Sequence, residues 1–167
     1  MQKLSFKSLV NDYGAAVLNA AVRILRDSEK AQDVYQDVFL EMWRRWHKCD
    51  GDTNWGAYLY RMTVRKSLEA ARKPVMESLS EAHAEYPGAS ERADRHLKAQ
   101  ELQERIVECL ARLPKRQAEV FVLSKIEGLK HEETARILGC SPETVRVHLY
   151  RAVRKMADEL RDYLNED

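Results

Sequence analysis

Residues 113–156 read LPKRQAEVFVLSKIEGLKHEETARILGCSPETVRVHLYRAVRKM, and this stretch decides the fold. It breaks into three helical patterns separated at Gly128 and Gly139, because glycine readily takes the left-handed conformation that ends a helix. Ser141 and Pro142 then predict a sharp helix start, since a hydroxyl can cap free amides and proline suits the first helical position. Two short helices and a longer one, joined by tight turns, predict a helix-turn-helix unit.

The last helix of this stretch has two distinct faces. Apolar residues at helical spacing predict a face packed on the preceding helices, formed by Val145, Leu149, Ala152, Val153 and Met156. The opposite, exposed face is expected to carry Glu143, Arg146, Val147, Tyr150, Arg151 and Arg154. Arginine in this place suits the DNA major groove, because its planar guanidinium pairs with guanine edges or phosphates. An ordinary solvated charged face is the alternative for this helix taken alone.

Four further helices are predicted before this unit, over residues of about 5–26, 28–47, 55–73 and 93–112. In the second of them, Trp43 and Trp46 fall on the apolar stripe and are expected in the core. In the fourth, Leu97 and Leu102 are expected to face inward.

Residues 74–97 lose the apolar periodicity and carry 2 Lys and Arg against 5 Asp and Glu. We therefore expect an all-α protein of two small helical domains, residues 1–73 and 93–167, joined by a flexible acidic linker over residues 74–92. The net charge of +1 hides a basic first domain, because residues 1–73 carry 13 Lys and Arg against 9 Asp and Glu. A weak total charge suits a protein that binds DNA with help from a larger partner.

The cysteines, the apolar runs and the missing catalytic motifs limit which other classes of protein the sequence allows. Three widely spaced cysteines favour a reducing cytoplasm over a disulfide scaffold. His47 and Cys49 alone are too few for a zinc site, so we expect no metal and no other cofactor. The apolar run 15–22 is shorter than a membrane span, which predicts a cytoplasmic protein without membrane insertion. No phosphate loop or Ser–His–acid pattern is present, so we do not expect an enzyme.

The stretch described first resembles the C-terminal domain of extracytoplasmic-function (ECF) sigma factors, which direct bacterial RNA polymerase to particular promoters. The residues that carry this resemblance are Leu113, Pro114, Glu127, Gly128, Leu129, Glu132, Glu133, Ala135, Leu138, Gly139, Thr144, Val145, Arg151 and Ala152. The resemblance implies that the last helix reads the −35 promoter element. The DNA contacts would be Arg146, Val147, His148, Tyr150, Arg151 and Arg154. Lys130 departs from the family's usual capping serine or threonine, which predicts a slightly frayed start to its helix.

Residues 31–40, AQDVYQDVFL, resemble the segment by which this family docks on the clamp coiled coil of the polymerase largest subunit. The polymerase contacts would be Asp33, Gln36, Asp37 and Glu41. An acidic strip can pair with the arginines of a coiled coil. The alternative is a solvated helix face without a specific partner.

Residues 55–62, WGAYLYRM, resemble the family's helix for the −10 element, where unstacked bases are held by aromatic and basic side chains. The DNA contacts would be Trp55, Tyr58, Arg61, Arg65 and Lys66, and residues 47–54 would form the specificity loop. Arg65 and Glu69 depart from the family's asparagine and aspartate, so base preference does not transfer.

The resemblance as a whole implies a sigma factor that recognises −10 and −35 elements. Its partners would be core RNA polymerase (through the clamp and the flap), promoter DNA and an anti-sigma factor. A different interpretation is a helix-turn-helix repressor whose N-terminal helices form a dimer. That protein would bind two half-sites about one helical turn apart, without polymerase.

Overall fold

The computed structural model describes residues 5–48, 54–72 and 91–165, which are almost entirely helical. The α-helices are α1 (Phe6–Leu25), α2 (Ser28–Arg45), α3 (Trp55–Arg72), α4 (Glu91–Arg112), α5 (Lys115–Phe121), α6 (His131–Leu138) and α7 (Pro142–Asn165). Within these ranges there is no strand, which confirms the all-α class. Among the helices of the described residues, none combines enough length with enough apolar side chains to cross a membrane.

Helices α1 to α3 form a bundle whose starts are set by polar caps. Ser5, Asp27 and Asn54 each accept a hydrogen bond from an amide in the first turn of the following helix, at 3.1, 3.0 and 3.1 Å. Such caps satisfy amides that have no partner inside the helix. The bundle closes around buried side chains that include Leu9, Val38, Met42 and Leu59.

The C-terminal helices confirm the predicted breaks. Gly128 and Gly139 have φ angles of 71° and 66°, and the Ser141 hydroxyl accepts an amide hydrogen bond of 3.1 Å at the start of α7. Lys130 offers α6 no side-chain cap; instead the Glu133 carboxylate accepts the Lys130 amide at 2.9 Å. A π-helical turn over Val122–Ile126 continues α5, a feature that periodicity did not predict.

The two halves of the chain share a hydrophobic core. Ile24 from α1 and Val64 and Leu68 from α3 are buried in one cluster with Leu110 and Leu113 from the C-terminal half. The predicted linker over residues 74–92 lies outside the described residues, except that α4 begins at Glu91, two residues earlier than expected.

Four side chains expected in the core are exposed, so these predictions were wrong. They are Trp43, Leu97, Leu102 and Val153, with exposed fractions of 54, 52, 37 and 40%. All side chains of residues 95–104 in α4 are exposed. Trp43 and Val153 lie at the edges of their apolar stripes, where one side of the helix already meets solvent. Trp46 is half-buried.

We expect the two described cysteines to differ in reactivity. Cys109 is fully buried, and burial raises the pKa of its thiol to about 11, whereas Cys140 is partly exposed. Since the thiolate is the reactive form, a maleimide at pH 8 should modify Cys140 and leave Cys109 unmodified. Peptide mass spectrometry reads the outcome, with labelling in denaturant as the control. Equal labelling of both cysteines in the folded protein would contradict the burial of Cys109.

Candidate DNA and polymerase interfaces

The outward face of α7 presents the side chains expected to contact duplex DNA. Arg146, Val147, Tyr150, Arg151 and Arg154 are all exposed, and Tyr150 reaches 62%. The Arg154 guanidinium lies 5.8 Å from the centroid of the Tyr150 ring. This face therefore combines cations for phosphates and guanine edges with an apolar side chain that could meet a thymine methyl group.

An open cleft of about 770 Å³ lies along this face. It is lined by Gln117, Arg146, Val147, Tyr150, Arg151, Arg154, Lys155 and Asp158. Lys155 was not predicted, although its spacing of four from Arg151 places it beside that residue. Gln117 was not predicted either, because it comes from α5 and no periodicity connects it to α7. His148, the other expected contact, is half-buried at the margin of the face.

The basic residues of α3 are partly neutralised by α2. The Glu41 carboxylate lies 2.9 Å from Arg65 Nη2 and 3.1 Å from Lys66 Nζ, and its side chain is only 17% exposed. Burial by itself raises the pKa of Glu41, but the hydrogen bonds from Lys66 and Arg65 outweigh it and hold that pKa below its usual range. Glu41, expected on the polymerase-binding strip, thus points toward α3, because it lies on the edge of α2 that α3 covers.

Aromatic rings surround the start of α3. The Trp55 ring lies 5.3 Å from the Trp46 ring at an interplanar angle of 30°, and 6.3 Å from the Tyr58 ring in an edge-to-face arrangement. Arg61 is exposed on the same helix. Of the expected specificity loop over residues 47–54, residues 49–53 lie outside the described residues, whereas residues 47 and 48 belong to a 3-10 turn and Asn54 caps α3.

The expected polymerase-binding strip lies on the solvent side of α2. Asp33, Gln36 and Asp37 are exposed, and the exposed Leu40 and Trp43 continue the strip at helical spacing. An exposed tryptophan and leucine beside carboxylates are typical of a protein–protein interface, where aromatic side chains are enriched.

Together these features define a class: a helix-turn-helix DNA-binding protein that also carries a separate surface for a protein partner. Residues 9–74 match the family Sigma-70 region 2, and residues 103–156 match the family Sigma-70, region 4. The chain is 30% identical to the RNA polymerase sigma-E factor of Streptomyces coelicolor, over 94% of this chain and 86% of that protein. It is 26% identical to the RNA polymerase sigma-H factor of Pseudomonas aeruginosa, over 98% and 90% of the two chains. The chain belongs to the ECF family of RNA polymerase sigma factors.

A solved structure supports this assignment. CnrH, in complex with the cytosolic domain of CnrY, is 25% identical and superposes with a TM-score of 0.58, over 94% of this chain and 88% of CnrH. The protein is therefore a sigma factor that directs RNA polymerase to promoters, as the resemblance implied.

Proposed function

We propose that the chain divides promoter recognition between its two halves. Residues 1–73 bind the polymerase clamp and the opened −10 strand, residues 93–167 bind the −35 duplex, and residues 74–92 join them. The chain itself catalyses nothing and needs no cofactor, because the bond-forming chemistry belongs to the polymerase. It acts in the cytoplasm, where polymerase and promoters meet.

The observation that carries the −35 assignment is the exposed cationic face of α7. In a helix-turn-helix the last helix enters the major groove, and this face offers Arg146, Arg151 and Arg154 in one direction. Tyr150 and Val147 between them add stacking and methyl contacts. The adjacent cleft gives Gln117 and Lys155 access to the same stretch of DNA.

The −10 assignment has weaker electrostatic support than the −35 assignment. Arg61 is exposed, and the half-buried Trp55 and Tyr58 offer ring surfaces on which unstacked bases can pack. Arg65 and Lys66 are occupied by Glu41, so we assign the phosphate contact first to Arg61. Base preference would then depend on which ring surfaces the bases reach.

The polymerase assignment rests on the strip of Asp33, Gln36 and Asp37, together with Leu40 and Trp43. Its carboxylates suit the arginines of a coiled coil, and its apolar side chains supply area that becomes buried on binding. Glu41 supports this surface from the side, through its ion pairs to α3.

An anti-sigma factor is a further proposed partner. CnrH was solved with the cytosolic domain of CnrY, and we propose that a protein of comparable role binds this chain.

Run-off transcription with purified core polymerase on a library of promoters tests the proposal. We expect initiation at a defined set of sequences that depends on this chain, with core polymerase alone as the control. A gel shift without polymerase distinguishes the sigma factor from the repressor, because only the repressor interpretation requires tight, specific binding of the chain alone to paired half-sites. If no promoter library supports initiation and the chain alone binds paired half-sites tightly, the proposed function is rejected.

We expect Arg151→Ala to weaken −35 binding by about 1–3 kcal/mol, because it removes a guanidinium from the reading face. Promoter affinity of the holoenzyme measures the loss. Arg161→Ala is the matched control, since Arg161 is an exposed arginine of the same helix outside the cleft. Unchanged promoter use by Arg151→Ala would remove this residue from the site.

A further inference from the structure

A single carboxylate on α2 holds three cations. Glu41 Oε1 lies 2.9 Å from Arg65 Nη2 and 3.0 Å from Arg45 Nη2. The other oxygen, Glu41 Oε2, lies 3.1 Å from Lys66 Nζ. Both oxygens of the carboxylate are therefore engaged. Since Arg45 belongs to α2 itself, the contacts that join α2 to α3 are those with Arg65 and Lys66.

The two cations from α3 are largely shielded from water. The Lys66 side chain is 23% exposed and the Arg65 side chain 33%, whereas Arg45 remains accessible at 54%. A shielded ion pair is stronger than one on the open surface, because the effective dielectric constant around it is lower. Removing the cations would also leave the mostly buried Glu41 carboxylate without a partner, which is unfavourable. A phosphate that arrives from solvent must therefore compete with a partner already in place.

A second carboxylate near Arg65 is a weaker partner. Glu69 Oε1 lies 3.8 Å from Arg65 Nε, which is too far for a hydrogen bond, and the Glu69 side chain is 50% exposed. Exposed ion pairs of this kind contribute little, because water screens the two charges. The position of the Arg65 guanidinium thus depends chiefly on Glu41.

Arg65 would belong to the −10 surface of α3 if Glu41 did not hold it. Tyr58, Arg61 and Arg65 recur at spacings of three and four, so their side chains share one face of the helix, and all three line the same cleft. Arg61 is exposed on this face, whereas the Arg65 guanidinium donates to Glu41. Arg61 can therefore meet a phosphate directly, but Arg65 can do so only by leaving Glu41.

We propose that Glu41 is a positioning residue that keeps Arg65 and Lys66 away from nucleic acid. The −10 strand is then held by Arg61 and by the aromatic rings of α3. Phosphates are the same in every sequence, so each cation that Glu41 holds removes an attraction that does not depend on the bases. This lowers the affinity for other DNA, which far outnumbers promoters in a genome. The inference rests on the −10 function proposed for α3.

Glu41→Gln tests this inference, because glutamine keeps the shape of the side chain and removes its charge. The holoenzyme is titrated with two labelled single strands, one carrying the −10 sequence selected from the promoter library and one with the same bases scrambled. Repeating the titration at several salt concentrations gives the slope of log affinity against log salt, and core polymerase alone supplies the background. We expect the variant to bind both strands about tenfold more tightly at low salt, with a slope that steepens by about 0.7 for each cation released to a phosphate.

Two further variants separate the release of cations from a general disturbance of the fold. Glu41→Gln combined with Arg65→Gln and Lys66→Gln should return to the slope of the wild type, because the released cations are gone. A merely structural role of Glu41 would not be repaired in this way. Glu29→Gln is the matched control, since it removes an exposed carboxylate of α2 outside the cluster. Both released cations are partly exposed and can be hydrated, so each variant should keep its helices, which circular dichroism checks.

An unchanged slope in Glu41→Gln would overturn the inference. An equal effect of Glu29→Gln would overturn it too, as would a triple variant that keeps the steeper slope. If the wild-type holoenzyme binds the selected and the scrambled strand equally well, the −10 function proposed for α3 fails. The slopes of the variants still decide in that case whether Glu41 keeps the two cations from phosphates.

Discussion

Asp37→Lys should weaken binding to core polymerase by several kcal/mol, about 100-fold or more, while the helical content stays unchanged. Asp37 is exposed in the middle of the proposed polymerase-binding strip, so the replacement would place a cation opposite the arginines proposed for the partner. Like charges at an interface repel, and the new ammonium group cannot accept the hydrogen bonds of the lost carboxylate. Lysine is at least as good a helix former as aspartate, so α2 should remain intact.

The measurement is a binding titration of labelled protein with core polymerase, followed by run-off transcription. Asp12→Lys is the matched control, because Asp12 is an exposed acidic residue of α1 that lies outside the strip. It makes the same change in net charge and should leave affinity within about twofold of the wild type, the size expected for a charge outside the interface. An unaltered yield of holoenzyme with Asp37→Lys would remove the strip from the proposed function.

Leu68→Ala should lower the free energy of unfolding by about 2–5 kcal/mol. Leu68 is 2% exposed and is packed in the core that the two halves of the chain share. Removing most of its side chain leaves a cavity that the surrounding helices can only partly fill. Urea unfolding followed by circular dichroism measures the loss.

Leu59→Ala is the matched comparison, because Leu59 belongs to the same helix, is 1% exposed and lies in the core of the first half alone. We expect a similar loss of stability from both variants. Only Leu68→Ala should strongly increase maleimide labelling of Cys109 in the absence of urea, since Cys109 shares a core with Leu68 and not with Leu59. Equal labelling in the two variants would mean that the two halves do not open independently.

Much of the fold could be predicted because its signals are local. The cap at Ser141 and the breaks at Gly128 and Gly139 depend on a few neighbouring residues, and the structure confirms them. The outward face of α7 was predictable for the same reason, since spacings of three and four decide which side chains point together. The exposure of side chains at the edges of an apolar stripe could not be predicted in this way, as the exposed Trp43 shows.

The amino-acid sequence by itself therefore determined the order and approximate ends of the helices, the helix-turn-helix and the cationic face of α7. Only the tertiary structure decided that Glu41 turns toward Arg65, that Gln117 joins the cleft on α7, and that Arg23 meets Glu127 across 104 positions of sequence. The physical reason is that helical periodicity tells which side of a helix a charge occupies but not which other helix faces it. That choice depends on how the buried faces of all the helices pack together, and a pairing so distant in the chain leaves no mark in the local pattern.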